Sequence, residues 1–125
     1  ASQAQAGKLN MVNLVKENSV VELGTPTEES TKMAIDSLEA ATEALLKGEI
    51  DVLVTAPINK DEMVKMGFKH AGHTGYFEEK FNKKGLMFLV TEELKVAVLT
   101  HHIPIAQVAE NISKEKIKNK EPTNK

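Results

Sequence analysis

Arginine is absent from this 125-residue chain: all 16 basic residues are lysine, set against 18 acidic ones for a formal charge of -2. Without a guanidinium there is no bidentate clamp, so a bound phosphate has to be met by lysine, hydroxyls and backbone N–H groups, or by residues from elsewhere. The slightly acidic balance leaves no basic footprint, and a nucleic-acid partner is not expected. Cysteine is absent as well, which removes disulfide and thiolate chemistry and fits a cytoplasmic setting. No apolar run approaches the roughly 20 residues of a membrane helix, residues 1–6 lack the apolar centre of a signal peptide, and no membrane partner is expected. Glycine-rich dinucleotide and Walker loops, paired HExxH histidines, internal repeats and low-complexity tracts are all missing.

What remains is ordinary globular material, 41% hydrophobic and 27% charged, enough for one domain with one core. The start lacks methionine, and residues 118–125 form a polar, proline-broken end that reads as a cut. A fragment is therefore expected, with residues 1–8 and 118–125 disordered.

The chain is organised around Asp51-Val-Leu-Val-Thr-Ala-Pro-Ile-Asn-Lys60. Apolar and β-branched residues running into Thr55 read as a buried strand that Ala56-Pro57 must end. Asn59 then caps a helix over about residues 60–66, with Glu62 closing the capping box and Gly67 ending it. The strand so delivers Lys60 to one edge of a sheet, where open α/β folds place ligands.

Upstream, residues 10–15 and 19–23 are two candidate short strands. Thr25-Pro-Thr-Glu28 predicts a helix capped by Thr25, with an apolar stripe through Ala34, Leu38, Ala41 and Leu45 and a stop at Gly48. Downstream, residues 68–75 read as a glycine-bearing loop and residues 76–82 as a short helix. The apolar runs 86–90 and 95–100 are separated only by Thr91-Glu-Glu-Leu94, too short for a parallel crossover, which predicts an antiparallel hairpin. Pro104 suits the first turn of a helix through about Asn111. This order gives an α/β fold with a mixed, mainly parallel sheet flanked by helices.

All four histidines fall at positions 70, 73, 101 and 102. Metal ligation needs imidazoles converging from loops at strand ends, and His102 and His73 occupy such places. The alternative, loop histidines with no special role, stays open on spacing alone. Lys60 can bind an anion with a helix's first N–H groups or simply be solvated. Thr55 and Thr74 can bond a ligand or satisfy local backbone.

Taken together, Val52-Leu-Val-Thr-Ala-Pro-Ile-Asn-Lys60, Gly72-His-Thr74 with Tyr76-Phe-Glu-Glu79, and Val96-Ala-Val-Leu-Thr-His-His-Ile-Pro-Ile105 resemble the 4-hydroxythreonine-4-phosphate dehydrogenases of vitamin B6 biosynthesis. The resemblance covers roughly residues 20–117. It implies an isocitrate/isopropylmalate dehydrogenase-like fold, and a single partial domain from the middle of a larger two-domain homodimeric enzyme. It also implies NAD and a divalent metal (Zn, Mg or Co) as cofactors, and oxidation with decarboxylation of a small phosphorylated hydroxy acid. Carried over, His73 and Thr74 bind the phosphorylated substrate and His102 binds the metal; Lys60, a candidate from its junction position, is placed with the substrate residues, and His101 stands where the family usually has threonine. Gly75 replaces the family's glutamate, and His70-Ala71 its aromatic-proline pair. The remaining metal histidines lie outside this chain, which is expected to be inactive alone. Two alternatives remain: a related dehydrogenase for four-carbon sugar-acid 4-phosphates, or a stand-alone binding or assembly module. In the extended segment after the strand, His101 is expected to point away from His102.

Overall fold

A computed structural model describes residues 3–15, 19, 22–70 and 72–118. The chain forms two compact units, Ala1–Asn82 and Lys83–Lys125.

The first unit is built on helix α1, Glu28–Leu46. Its cap is Thr27, two residues later than the sequence predicts: the Thr27 hydroxyl accepts from Ser30 N–H at 3.1 Å, and the Ser30 hydroxyl accepts from Thr27 N–H at 3.0 Å. Starting at Thr27 places Glu28 and Glu29 in the first turn, against the positive end of the helix dipole. The buried face is rotated from the expected stripe. Thr31, Leu38 and Thr42 are buried, with Ile35 and Leu45 half-buried on the same row, whereas Ala34 is exposed. Threonine can occupy this face because its methyl packs while its hydroxyl is satisfied locally: Thr42 Oγ1 donates to the Leu38 carbonyl at 2.7 Å. The helix stops as predicted at Gly48, whose φ of +70° carries two terminal bonds, Gly48 N–H to Leu45 O and Glu49 N–H to Ala44 O.

Helix α2, Lys60–Lys65, follows the sequence reading in its cap and its stop but not in the reciprocal capping box, since the Glu62 carboxylate accepts from Lys65 Nζ at 2.7 Å instead. Asn59 caps it, accepting from Glu62 N–H at 3.2 Å. It closes on Gly67, at φ +86°, with Phe68 N–H bonded to Met63 O and Gly67 N–H to Val64 O. α1 packs on α2, and the core of this unit consists of Leu38 and Met63 together with Tyr76 of helix α3, His73–Phe81.

The buried strand expected over residues 51–55 does not form. Val52 and Val54 are 74% and 88% exposed, and the segment has no ladder partner among the described residues. β-branched composition favours an extended chain, but a strand also needs a neighbour to receive its N–H and C=O groups. Residues 10–15 likewise form no strand and are mostly exposed; the candidate over residues 19–23 falls largely outside the described residues.

The second unit carries the predicted hairpin, shorter than expected: β1, Phe88–Val90, pairs antiparallel with β2, Lys95–Ala97, in the register Phe88 to Ala97, Leu89 to Val96 and Val90 to Lys95. Thr91 closes the turn, its N–H bonded to Leu94 O at 2.8 Å and its hydroxyl accepting from Leu94 N–H at 3.0 Å. This is the sheet among the described residues, and the mainly parallel sheet read from the sequence is not seen among them. The helix predicted from Pro104 is instead two 3-10 turns, Ile105–Gln107 and Ala109–Asn111, with Pro104 preceding the first. A short helix α4, Lys114–Lys118, follows.

Candidate functional site

In the first unit, the candidate site is assembled from the starts of two helices. Asn59 fixes the beginning of α2 and so the root of Lys60. The Lys60 side chain then lies against Gly72: a Cβ built on that glycine would stand 3.4 Å from Lys60 Cε and 4.0 Å from Nζ. Gly72 is the N-cap of α3, with φ +149°, a backbone state L side chains rarely adopt. The backbone angle is what calls for glycine here, since 3.4 Å to the end of a flexible lysine is ordinary van der Waals contact.

Residues 73–75 are therefore helical rather than a loop. α3 starts three residues earlier than the sequence predicts because Tyr76, one turn in, is 2% exposed and draws the first turn inward. Phe68 stacks on the Tyr76 ring with centroids 5.5 Å apart, and His70 meets the same ring edge-on at 5.5 Å. His70 also lies 3.9 Å from the exposed Glu79 carboxylate. His73 and Thr74 are the first two residues of α3, His73 half-buried with its ring over Phe77, Thr74 exposed.

The consequence is electrostatic. No side chain caps α3, and no acidic residue occupies its first turn, so its leading N–H groups keep their partial positive charge. With the Lys60 ammonium beside them and the Thr74 hydroxyl in the same turn, this corner offers an anion what an arginine-free chain can offer. The structure thus brings Lys60 to the start of the His73-Thr74 turn. The sequence reading missed Gly72 as the residue whose backbone angle starts the turn and Tyr76 as the anchor. A tyrosine four residues after a glycine, on the helical repeat, was the available signal.

His102 belongs to the second unit, in the turn after β2. Its φ is +55°, so the segment is not extended and the expected alternation of His101 and His102 fails: their ring centroids are 5.3 Å apart, at 88°. A left-handed residue reverses the twist between neighbours and brings their side chains to one side. No group of three His, Cys, Asp or Glu side chains able to hold a metal occurs among the described residues, so His102 has the right donor chemistry but not a complete site.

Comparison with known proteins gives a consistent answer. The family model described as pyridoxal phosphate biosynthetic protein PdxA matches residues 1–123. A protein of Bacteroides thetaiotaomicron named 4-hydroxythreonine-4-phosphate dehydrogenase is 41% identical over 122 residues, covering 96% of this chain and 34% of that protein. Proteins of the same name from Sulfurihydrogenibium sp., 41% identical over 80% of this chain and 31% of the relative, and from Pseudoalteromonas translucida, 34% identical over 94% and 36%, are also similar. The chain spans about a third of the length of these curated relatives.

Proposed function

Because this chain belongs to the family of pyridoxal phosphate biosynthetic protein PdxA, we propose that it is the substrate-phosphate and metal-donor portion of an NAD- and divalent-metal-dependent dehydrogenase. The substrate of the longer protein is 4-phosphohydroxy-L-threonine, oxidised at its secondary alcohol and decarboxylated on the way to pyridoxal phosphate. The observation that carries this reading is the Lys60 side chain laid over Gly72 at the uncapped start of α3. A phosphate dianion there receives backbone N–H groups, the Thr74 hydroxyl and one ammonium, with the His73 ring at the same turn.

The work of these residues is binding and orientation. A phosphate held at a fixed helix start fixes the rest of a small substrate by its tether, which makes the later chemistry effectively intramolecular. The metal and NAD need donors beyond this chain: three metal-ligating side chains do not meet among the described residues, and the sequence has no glycine-rich dinucleotide loop. The 125-residue chain alone is accordingly inactive. In the longer protein, residues 51–55 become a strand of a mainly parallel sheet of the isocitrate/isopropylmalate dehydrogenase type, and the enzyme works as a cytoplasmic homodimer.

The test is NADH formation by the longer enzyme with 4-phosphohydroxy-L-threonine and, in parallel, with erythronate 4-phosphate. Lys60→Ala is expected to raise KM by about 10-fold or more, as loss of one charge-assisted contact does, with kcat less affected. No NADH from the unmodified enzyme with either substrate would overturn the dehydrogenase reading; an unchanged KM in Lys60→Ala would overturn the phosphate corner.

A further inference from the structure

We propose that His101 is a second donor to the metal ion that His102 binds, the two adjacent imidazoles forming one chelating pair. The inference rests on the metal-dependent reading above and assigns it a residue that the family pattern does not supply.

Three observations carry it. The first is the backbone of His102, at φ +55° the only non-glycine residue besides Asn82 with positive φ among those described. Asn82 has an ordinary reason, since it ends α3 as a left-handed cap. His102 ends no helix; histidine enters this region more readily than most residues, yet at a cost that glycine would avoid. Such a conformation kept at a non-glycine position is a pointer to function.

The second is what that conformation achieves. Adjacent side chains in an extended segment diverge, whereas here the ring centroids lie 5.3 Å apart. Two imidazoles bound through nitrogen to one tetrahedral ion, at about 2.0–2.1 Å each, have centroids roughly 5 Å apart. The separation required by a shared ion is thus already present. The perpendicular ring planes, at 88°, are no obstacle, because a coordinated imidazole can turn about its metal–nitrogen axis.

The third is access. Both histidines are exposed, so an ion can reach them and side-chain rotation suffices to turn a nitrogen of each toward it. Pro104, with its fixed φ of -57°, follows one residue beyond the pair, and β2 lies a few residues before, so the turn is held from both sides. With two donors in place, the remaining positions stay available for further ligands of the longer protein, for water or for substrate.

The pair is tested directly by titrating zinc chloride into the tag-free 125-residue chain, followed by calorimetry and by NMR of the imidazole protons. The expected result is one Zn²⁺ per chain, with the ring signals of His101 and His102 moving together while those of His70 and His73 hold still. His101→Ala and His102→Gly should each weaken binding by about 10-fold or more, the loss that even an outer-shell partner can cause; glycine at 102 keeps the left-handed turn and removes only the ring. The proposal is overturned if His101→Ala binds zinc as the unmodified chain does, if two ions bind independently, or if neither ring responds. Metal content and turnover of the longer enzyme separate this from the parent reading. Metal retained there despite a harmless His101→Ala sinks the pair alone, whereas turnover without metal sinks the metal-dependent reading and leaves zinc binding by the pair standing.

Discussion

The Cβ of His70 stands 3.9 Å from the point where a side chain on Gly75 would begin. That is ordinary van der Waals contact, so the space beside Gly75 accepts a methyl group without displacing the ring. Gly75 lies within α3, where glycine costs roughly 0.5–1 kcal/mol relative to alanine through backbone entropy. Gly75→Ala is expected to stabilise the chain by a few tenths of a kcal/mol up to about that amount, read as a higher urea midpoint at unchanged slope. A lower midpoint would mean that the first turn of α3 needs glycine for a reason other than space.

The two candidate caps of α1 make opposite predictions. Thr27 exchanges two hydrogen bonds with Ser30, and Thr27→Ala should cost about 1 kcal/mol of stability, with loss of helical circular dichroism. Thr25 takes no part in that exchange, and Thr25→Ala should be nearly neutral. Equal costs at the two positions would argue against a single helix start.

Tyr76 presents a different imbalance. Its hydroxyl is buried with no hydrogen-bond partner among the described residues, while its ring is packed by Phe68 and His70. Phenylalanine keeps the packing and removes the unsatisfied group, whose burial costs about 1–3 kcal/mol. Tyr76→Phe should therefore be neutral to stabilising in thermal unfolding; a marked loss of stability would reveal a partner for the hydroxyl.

Lys65 supplies a pH prediction with a definite sign. Its ammonium donates to Glu62 at 2.7 Å, and that hydrogen bond, followed by the Glu62 charge, holds the Lys65 pKa above the ordinary lysine value. A raised pKa means that the folded chain binds the proton more tightly than the unfolded one. The contribution is thus complete at neutral pH and lost as pH rises through the folded value. NMR titration of Lys65 should show its pKa returning to the ordinary range in Glu62→Gln. Because the lysine carries its proton in both the folded and the unfolded chain at acid pH, acid unfolding should not reflect this pair through the lysine itself.

Local punctuation was legible in the sequence, and pairing was not. Asn59, Gly48 and Gly67 announced their helix ends because a cap depends on residues within one turn of it. The four residues 91–94 announced the hairpin because loop length alone forbids the alternative. Residues 51–55 misled because their β-branched pattern reports a preference, and a strand is fixed by a neighbour that lies elsewhere in sequence. At the site, Lys60, His73 and Thr74 were named from motif and junction, yet the start of α3 at Gly72 depends on a backbone angle no composition reveals. His102 was placed correctly after its strand, and its orientation relative to His101 was lost because one left-handed residue undoes the alternation rule.

The exposed valines at 52 and 54 bear on how the chain behaves in concentrated solution. A short extended run of β-branched residues with open edges is a template on which a second copy can add, the first step toward sheet-like aggregates. Asp51 on one side and Pro57 and Lys60 on the other act as gatekeepers, a charge at each end and a residue that cannot extend the ladder. Turbidity at high protein concentration should accordingly rise when Pro57 is replaced by valine or Asp51 by asparagine, and sulfate should hasten it by strengthening apolar burial. The same segment thus imposes a solubility limit, set by three flanking residues that do not belong to the core.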